Sequence, residues 1–345
     1  MAPSTLTERA SPAVVTHTHT HPHPHPPQVR SRLPPILRIP ILVVLNLGIN
    51  TALWSLVSNF LSPELGAVSK VPTDDDLWSL YSPGARLGMR ILTVWMTWYF
   101  NYDFYDVSAL TVLTQAPYAY LLTTFYDIST LTVAAHVNIE VLSIAIPTYL
   151  LRPRSAAHDA NAALRNRFLL NSVQVQASNA LLATGVYVVV LWAGLKTGSL
   201  NLFLVQFFDI PTLEYAHLET PVSIIGKVFT AGVAAKEFLL NPSIAAQPPS
   251  GSATPTEAFD PALATLPQTV KQNFWYFSKR TRTLIQQTAI LNAFLFANTV
   301  QKGMTLNGSE LTGAAGYASV WVVANAIIAL WYGWVGDTSA DYEPL

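Results

Sequence analysis

The sequence predicts an all-α protein, a polytopic bundle of about eight transmembrane helices, with about six to eight as the range. Of its 345 residues, 51% are hydrophobic and only 11% are charged, whereas about a quarter of the residues of a soluble domain are charged. Several runs of roughly 18 or more residues carry almost no charge, which is typical of transmembrane helices. A membrane β-barrel would instead alternate apolar and polar residues over about ten positions.

Residues 1–35 are predicted to form a disordered, cytosolic, His/Pro-rich tail, and residues 36–345 a single transmembrane helical domain. Prolines in this tail prevent a regular helix, and few of its side chains could form a core. Its alternating histidines are a weak candidate metal site, because imidazole binds zinc, copper or nickel. A flexible tract has no surrounding groups to fix its geometry, so a tolerated repeat is the favoured interpretation. The histidines are His17, His19, His21, His23 and His25.

The apolar runs place eight crossings along the chain, and the first run starts too far from the N-terminus for a cleavable signal peptide. Residues 200–220 are interrupted by acidic residues and are predicted to lie at the interface. Residues 241–268 are rich in Pro, Ser, Ala and Thr and are predicted to be a mobile cytosolic loop. The crossings are predicted at 39–61, 87–101, 107–126, 129–151, 170–195, 222–240, 284–300 and 314–335.

Two of these crossings are ambiguous, so six or seven spans remain open. The segment 87–101 is short and begins beside Arg86 and Arg90, whose long side chains can reach the membrane interface. The segment 222–240 carries Lys227 and Lys236, so it either spans the membrane or lies flat at its surface.

Charge distribution predicts the orientation of the bundle. With eight crossings both termini lie on one side, together with the basic cluster Arg152 to Arg167 and the basic edge Lys279 to Arg282. Basic loops favour the cytosol, so we expect both termini to be cytosolic. We expect an endomembrane, the endoplasmic reticulum in particular. Asn307, in the sequon Asn307-Gly308-Ser309, then falls on the lumenal side as a candidate glycosylation site.

His136 and Glu140 are the candidate intramembrane polar pair. They stand four residues apart in an otherwise apolar run, so they share one helix face. Ionisable residues inside a span face the protein interior or water and are candidates for function. One interpretation is proton or cation handling. The favoured interpretation is structural, a hydrogen bond that ties this helix into the bundle.

Three carboxylates, Asp103, Asp106 and Asp127, each follow a tyrosine near a predicted hairpin turn. If the hairpins pack together, these carboxylates could converge with Glu140, and carboxylates suit Mg²⁺, Ca²⁺ or protons. Their place at the ends of spans favours the simpler interpretation that they are interface residues.

Motifs of known enzymes are absent from the sequence. It contains no Walker-type phosphate loop, Gly-x-Ser-x-Gly, His-Glu-x-x-His or Gly-x-Gly-x-x-Gly. It also contains no cysteine, which excludes disulfides and thiolate chemistry. We therefore expect no cofactor, and a protein without enzymatic activity is the favoured interpretation. A net charge of −1 gives no bulk basic character, so nucleic acid is not an expected partner.

The function predicted from these features is to organise or assemble partners in an endomembrane. The expected partners are the lipid bilayer and other membrane proteins, which polar helix faces could contact. One alternative is a channel or carrier for a cation or proton that uses His136 and Glu140. A second alternative is an intramembrane enzyme that modifies lipids.

Overall fold

The computed structural model of this chain describes residues 35–71, 77–162, 164, 166–246, 265–267 and 279–335. Within these ranges the structure is helical, with one isolated bridge between Ser69 and Leu306. The predicted tail up to residue 34, with its five histidines, lies outside the described residues. Most of the predicted loop 241–268 does so too.

Each predicted crossing coincides with a helical segment. Four shorter helices lie between the long ones: α5 (Arg167–Asn171), α7 (Ser199–Phe207), α8 (Glu214–Leu218) and α10 (Asn241–Ala245). The segments at the crossings are α1 (Pro35–Val68), α2 (Leu77–Tyr99), α3 (Phe104–Phe125), α4 (Thr130–Leu151), α6 (Val173–Lys196), α9 (Pro221–Ala235), α11 (Lys279–Gly303) and α12 (Leu311–Val335).

Four helices in the described part of the chain are long and apolar enough to cross a membrane. They lie within α1, α4, α6 and α12 and cover 37–68, 130–151, 173–196 and 311–334. The chain is therefore an all-helical integral membrane protein. The remaining segments are shorter or more polar, and they do not by themselves fix the number of crossings.

The predicted loop 241–268 starts too early. Helix α9 continues through a π-helical turn, Lys236–Leu240, into α10. Asn241 and Ser243 are buried there, and the Asn241 amide donates to a Glu237 carboxylate oxygen 2.5 Å away. Hydrogen bonding and burial thus extend the helical segment to Ala245, where composition alone predicted a linker.

Helix α3 begins where two aspartates cap it. The Asp103 carboxylate accepts hydrogen bonds from the backbone N–H groups of Tyr105, at 2.9 Å, and of Asp106, at 3.0 Å. The Asp106 carboxylate reaches back to the Asp103 N–H at 3.3 Å, which completes a capping box. These bonds satisfy N–H groups that a helix start leaves without partners.

Helices α6 and α9 pack closely because a glycine lies at their crossing. A Cβ atom on Gly232 would lie 2.0 Å from the Thr184 hydroxyl oxygen and 3.0 Å from the Ala180 carbonyl oxygen. The neighbouring Ala231 and Ala235 are also buried, as their small size and helical spacing predict. Small side chains thus allow the two backbones to approach.

Buried polar side chains link the other helices. The Tyr317 hydroxyl of α12 donates to the Pro117 carbonyl of α3 at 2.7 Å, and the Asn298 amide of α11 donates to the Thr114 carbonyl at 2.7 Å. Within α12, Asn325 accepts a hydrogen bond from Tyr187 of α6 at 2.5 Å. Such bonds between helices satisfy polar groups that lipid cannot satisfy.

Candidate functional site

A cavity of about 440 Å³ lies between α1, α2, α3, α4 and α11. Its volume falls in the range of about 300–1,000 Å³ that is usual for small-molecule sites. Arg86 and Leu87 of α2 line the cavity and are also exposed, so the cavity extends to the surface beside that helix. Its polar lining side chains are Asn46, Asn50, Ser69, Arg86, Arg90, Thr93, Thr111, Thr114, Gln115, Tyr118, His136, Glu140, Ser143, Asn298, Gln301, Lys302 and Thr305.

The predicted pair His136 and Glu140 lines this cavity from one face of α4. The two side chains bind different partners. His136 accepts a hydrogen bond from the Lys302 ammonium at 3.1 Å, and Glu140 forms an ion pair with Arg90. The Arg90 and Glu140 side chains are 19% and 17% exposed, respectively. The ion pair therefore joins α2 to α4 at the wall of the cavity.

Lys302 fixes the tautomer of His136. Its ammonium lies 2.5 Å from the Gln115 side-chain oxygen and 5.4 Å from the centre of the Tyr118 ring. An ammonium can only donate hydrogen bonds, so Nε2 of His136 must accept and Nδ1 must carry the ring proton. That Nδ1 is buried and has no hydrogen-bond partner among the described residues.

Two further N–H donors of the cavity lining have no hydrogen-bond partner among the described residues. The side-chain nitrogens of Gln301 and Asn50, like His136 Nδ1, are buried without a partner in the described part of the chain, and both residues line the cavity. Buried N–H groups in native proteins nearly always find an acceptor, from protein, water or ligand. The cavity therefore presents several donors that an acceptor inside it would satisfy.

The charges on the cavity wall are unbalanced. Arg86, Arg90 and Lys302 contribute three positive charges and Glu140 contributes one negative charge, which leaves an excess of two positive charges. A concave site with walls of low dielectric strengthens the field of such an excess. Positive charge and free N–H donors together fit a carboxylate or phosphate group.

Asp103 and Asp106 come together in a second polar cluster, at the N-terminal end of α3. The Asp103 Oδ2 accepts from His158 Nδ1 at 2.8 Å and from the Ser155 N–H at 2.9 Å. Burial alone would raise the pKa of Asp103, but the hydrogen bond from His158 and the bonds from backbone N–H groups outweigh it and lower that pKa to about 2. The Asp103 carboxylate is therefore charged at neutral pH.

Asp103 and His158 each stabilise the charge of the other. Burial would lower the pKa of His158, but the hydrogen bond with Asp103 and the carboxylate of Glu237, 3.7 Å from Nε2, outweigh it and raise that pKa to about 9. His158 lies in the polar segment after α4, fifty-five residues from Asp103. Sequence reasoning missed His158, because nothing in its local pattern distinguishes it from a solvated loop histidine.

The other predicted site residues lie apart from these two clusters. Asp127 is exposed at the opposite end of α3, with a positive φ of 55°, in the turn before α4. Asn307 is half-buried, and its N–H donates to the Val68 carbonyl at 3.1 Å. The next residue, Gly308, packs against Asp209. Glycosylation of Asn307 stays a prediction.

Comparison with known proteins adds no assignment to this geometry. No family model, curated protein or solved structure matches the chain. The function must therefore be inferred from the chemistry of the side chains themselves.

Proposed function

We propose that this chain is a multi-pass membrane protein that binds a small molecule carrying an acidic group in the cavity between α1, α2, α3, α4 and α11. The observation that carries the proposal is Lys302, a half-buried residue whose ammonium lines the cavity beside the N–H of His136, which has no partner among the described residues. The acidic group would accept from these donors, and apolar lining residues such as Trp54 and Phe294 would contact the rest of the ligand.

The charges favour an anion over the cation or proton of the alternative interpretation of the sequence. Glu140, the acidic residue expected to attract a cation, is already paired with Arg90. The remaining charged side chains of the lining, Arg86 and Lys302, would repel a cation. The organising role predicted from the sequence stays a prediction that no contact in the structure bears on.

The cavity would lie in the lumenal half of the membrane if the chain crosses eight times with both termini in the cytosol of the endoplasmic reticulum. Helix α4 would then start on the lumenal side. His136 lies six residues and Glu140 ten residues after its start, or about 9 Å and about 15 Å along the helix. The seventh crossing, α11, would end on the same side, and its Lys302 does meet His136.

Two loop contacts support this eight-crossing arrangement. Ser69, after the first crossing, bridges to Leu306, after the seventh, so both loops lie at one end of the bundle. Arg152, after the fourth crossing, donates to the Trp98 carbonyl at 2.7 Å, in the last turn of the second crossing, and to the Tyr102 carbonyl at 2.9 Å, just after that crossing. Loops that follow odd crossings meet each other, and so do loops that follow even crossings.

A reporter fused to the C-terminus tests the topology. We expect a reporter glycosylated only in the lumen to stay unmodified at this position, and a cytosolic complementation reporter to be active there. The same pair of reporters inserted into the Asp74-Asp75-Asp76 segment should give the opposite result. A glycosylated C-terminal reporter would contradict the eight-crossing arrangement.

Binding of matched amphiphiles tests the cavity. We expect decyl phosphate to change the tryptophan fluorescence of the protein, because Trp54 lines the cavity, and decanol, with the same alkyl chain and no charge, to bind at least about tenfold more weakly. Inorganic phosphate tests whether the charge alone suffices. Equal affinity for decyl phosphate and decanol would contradict the proposal.

Variants of one helix locate the bound charge. Lys302→Met removes the ammonium from the cavity lining, and we expect it to weaken decyl phosphate binding by about tenfold or more, since hydrogen bonds to charged groups contribute about 1.5–3 kcal/mol. Lys279→Met makes the same chemical change at the exposed start of α11 and should leave binding unchanged. Arg86→Gln, at an exposed residue of the lining, supplies a second variant if Lys302→Met does not fold.

A further inference from the structure

The cluster at the N-terminal end of α3 combines three residues that can hold a metal ion. Each of Asp103, Asp106 and His158 offers one ligand atom, and these atoms all lie within 4.8 Å of one another. The cluster is sheltered from solvent, since the side chain of Asp103 is 1% exposed, that of His158 is 9% exposed, and Asp106 is 4% exposed. It lies outside the cavity described above and uses none of the cavity's residues.

One oxygen of this cluster lacks a partner. Asp106 Oδ2 accepts from the Asp103 N–H, but Asp106 Oδ1 is buried and has no hydrogen-bond partner among the described residues. A second carboxylate, Asp103, lies in the same turn of the helix. The protonated His158 compensates Asp103, to which it donates a hydrogen bond, but it donates none to Asp106. A divalent cation would displace the His158 proton and compensate both carboxylates.

The nearby basic side chains have other partners. Arg152 donates to backbone carbonyls at the end of α2, among them those of Thr97 and Trp98. Lys236 forms an ion pair with Glu237. Neither side chain donates a hydrogen bond to Asp106 Oδ1, which therefore stays available to a cation.

His158 has the orientation of a metal ligand. Its Nδ1 lies 2.8 Å from Asp103 Oδ2, and its Nε2 lies 3.7 Å from a Glu237 oxygen. A metal-bound histidine usually donates its second ring N–H to a carboxylate, and Glu237 would have to move closer to His158 Nε2 to accept such a bond. The 2.8 Å separation also suits two neighbouring ligands on one ion with bonds of about 2.0–2.2 Å. The widest pair, at up to 4.8 Å, would have to move closer together.

We propose that Asp103, Asp106 and His158 bind a first-row divalent cation, Mn²⁺ or Zn²⁺. The ligands are two carboxylate oxygens and one imidazole nitrogen, a set that suits these ions, whereas Ca²⁺ and Mg²⁺ prefer oxygen alone. A pocket of about 300 Å³, lined by His158 and Glu237 among others, borders the cluster and lets water complete the coordination.

Titration with Mn²⁺ tests the site. The full chain is used with the histidines of the N-terminal tail replaced by serine, because that tract could bind divalent cations by itself. We expect about one Mn²⁺ per chain, detected by electron paramagnetic resonance, and displacement of Mn²⁺ by Zn²⁺. Absence of bound Mn²⁺ and Zn²⁺ would overturn the proposal. The replaced residues are His17, His19, His21, His23 and His25.

Asp106→Asn is the decisive variant. An asparagine oxygen can still accept from the Asp103 N–H, so the cap of α3 is kept while the charge is removed. We expect Mn²⁺ affinity to fall at least about tenfold. Asp127→Asn, at the exposed opposite end of α3, is the matched control and should bind Mn²⁺ like the parent. Unchanged affinity in Asp106→Asn would overturn the assignment.

Thermal unfolding of the parent protein tests the site even if Asp106→Asn does not fold. In EDTA we expect Asp106→Asn to unfold at the same temperature as the parent or above it, because a buried repulsion is removed. Added Zn²⁺ should raise the unfolding temperature of the parent, and EDTA should reverse the rise. If Asp106→Asn does not fold and Zn²⁺ leaves the parent unchanged, the proposal fails.

Discussion

The ion pair between Arg90 and Glu140 leads to a quantitative prediction about the wall of the cavity. Arg90→Gln would leave the Glu140 carboxylate without its partner, and Glu140→Gln would leave the Arg90 guanidinium without its partner. Each single change should therefore destabilise the protein. The double change removes both charges, so it should cost less than the sum of the two single changes.

The expected destabilisation depends on how deeply the Arg90–Glu140 ion pair is buried. Removal of one partner from a fully buried ion pair costs about 3–5 kcal/mol, whereas an exposed pair contributes about 1 kcal/mol at most. The side chains of Arg90 and Glu140 are 19% and 17% exposed, so we expect each single change to cost about 2 kcal/mol and the double change to cost about 2 kcal/mol less than the sum. At about 2–4 °C per kcal/mol for a large domain, each single variant should unfold about 4–8 °C below the parent.

Tryptophan fluorescence during thermal unfolding in detergent is the suitable assay. The chain contains nine tryptophans and no cysteine, so dyes that react with exposed thiols give no signal. The control combines Glu140→Gln with Lys196→Met, an exposed residue at the end of α6, which does not line the cavity. That combination should be additive.

Additivity of Arg90→Gln and Glu140→Gln would refute the reasoning. A coupling energy within about 0.5 kcal/mol of zero is what independent sites show. Such a result would mean that the two charges do not meet in the folded protein, and the charge count of the cavity would then be wrong.

Three further predictions concern stability and use the same unfolding assay. Gly232→Ala should destabilise the protein by about 1–3 kcal/mol because its Cβ would overlap Thr184, whereas Gly226→Ala, with open space around it in the same helix, should be neutral or stabilise by up to about 1 kcal/mol. Arg152→Lys should cost about 1–3 kcal/mol, because an ammonium cannot reproduce the forked donation to carbonyls at the end of α2. Tyr317→Phe should destabilise the protein by about 1–2 kcal/mol, because the Pro117 carbonyl loses its hydrogen-bond donor.

Each of these three has a contrary outcome. Equal stability of the two glycine variants would mean that α6 and α9 do not pack as closely as the structure places them. Wild-type stability of Arg152→Lys or of Tyr317→Phe would mean that water or another donor replaces the lost hydrogen bond.

Sequence alone located the helices well where length and apolarity decide. Helix α4 was predicted at 129–151 and spans Thr130–Leu151, and α6 was predicted at 170–195 and spans Val173–Lys196. Whether a segment can cross a membrane depends on its own length and apolarity, which are properties of the local sequence. The end of α1 was predicted less well, since the first crossing was predicted to end at residue 61, and the helix continues past Pro63 to Val68.

Tertiary contacts explain that extension. Glu64, just after Pro63, accepts hydrogen bonds from the N–H and the hydroxyl of Ser129. Lys70, just after the helix, donates to the Thr305 carbonyl at 2.8 Å. These partners are distant in the sequence. The local pattern, in which Pro63 favours a loop, therefore does not contain the contacts that stabilise the helix beyond it.

The candidate sites show the same division. Helical spacing correctly placed His136 and Glu140 on one face, because four residues complete about one turn. Their partners could not be predicted, since Arg90 lies fifty residues from Glu140 and Lys302 lies 166 residues from His136. Spacing defines a helix face, whereas the partner of that face depends on which helices pack together.

Mass spectrometry of the protein purified from its own membrane tests the central proposal most directly. We expect a molecule with a carboxylate or phosphate group to accompany the folded wild-type chain at about one per chain. The amount should fall sharply in Lys302→Met, which lacks the ammonium in the cavity, and remain unchanged in Lys279→Met. The absence of such a molecule from the wild type, or equal amounts in all three proteins, would contradict binding of an acidic ligand in the cavity.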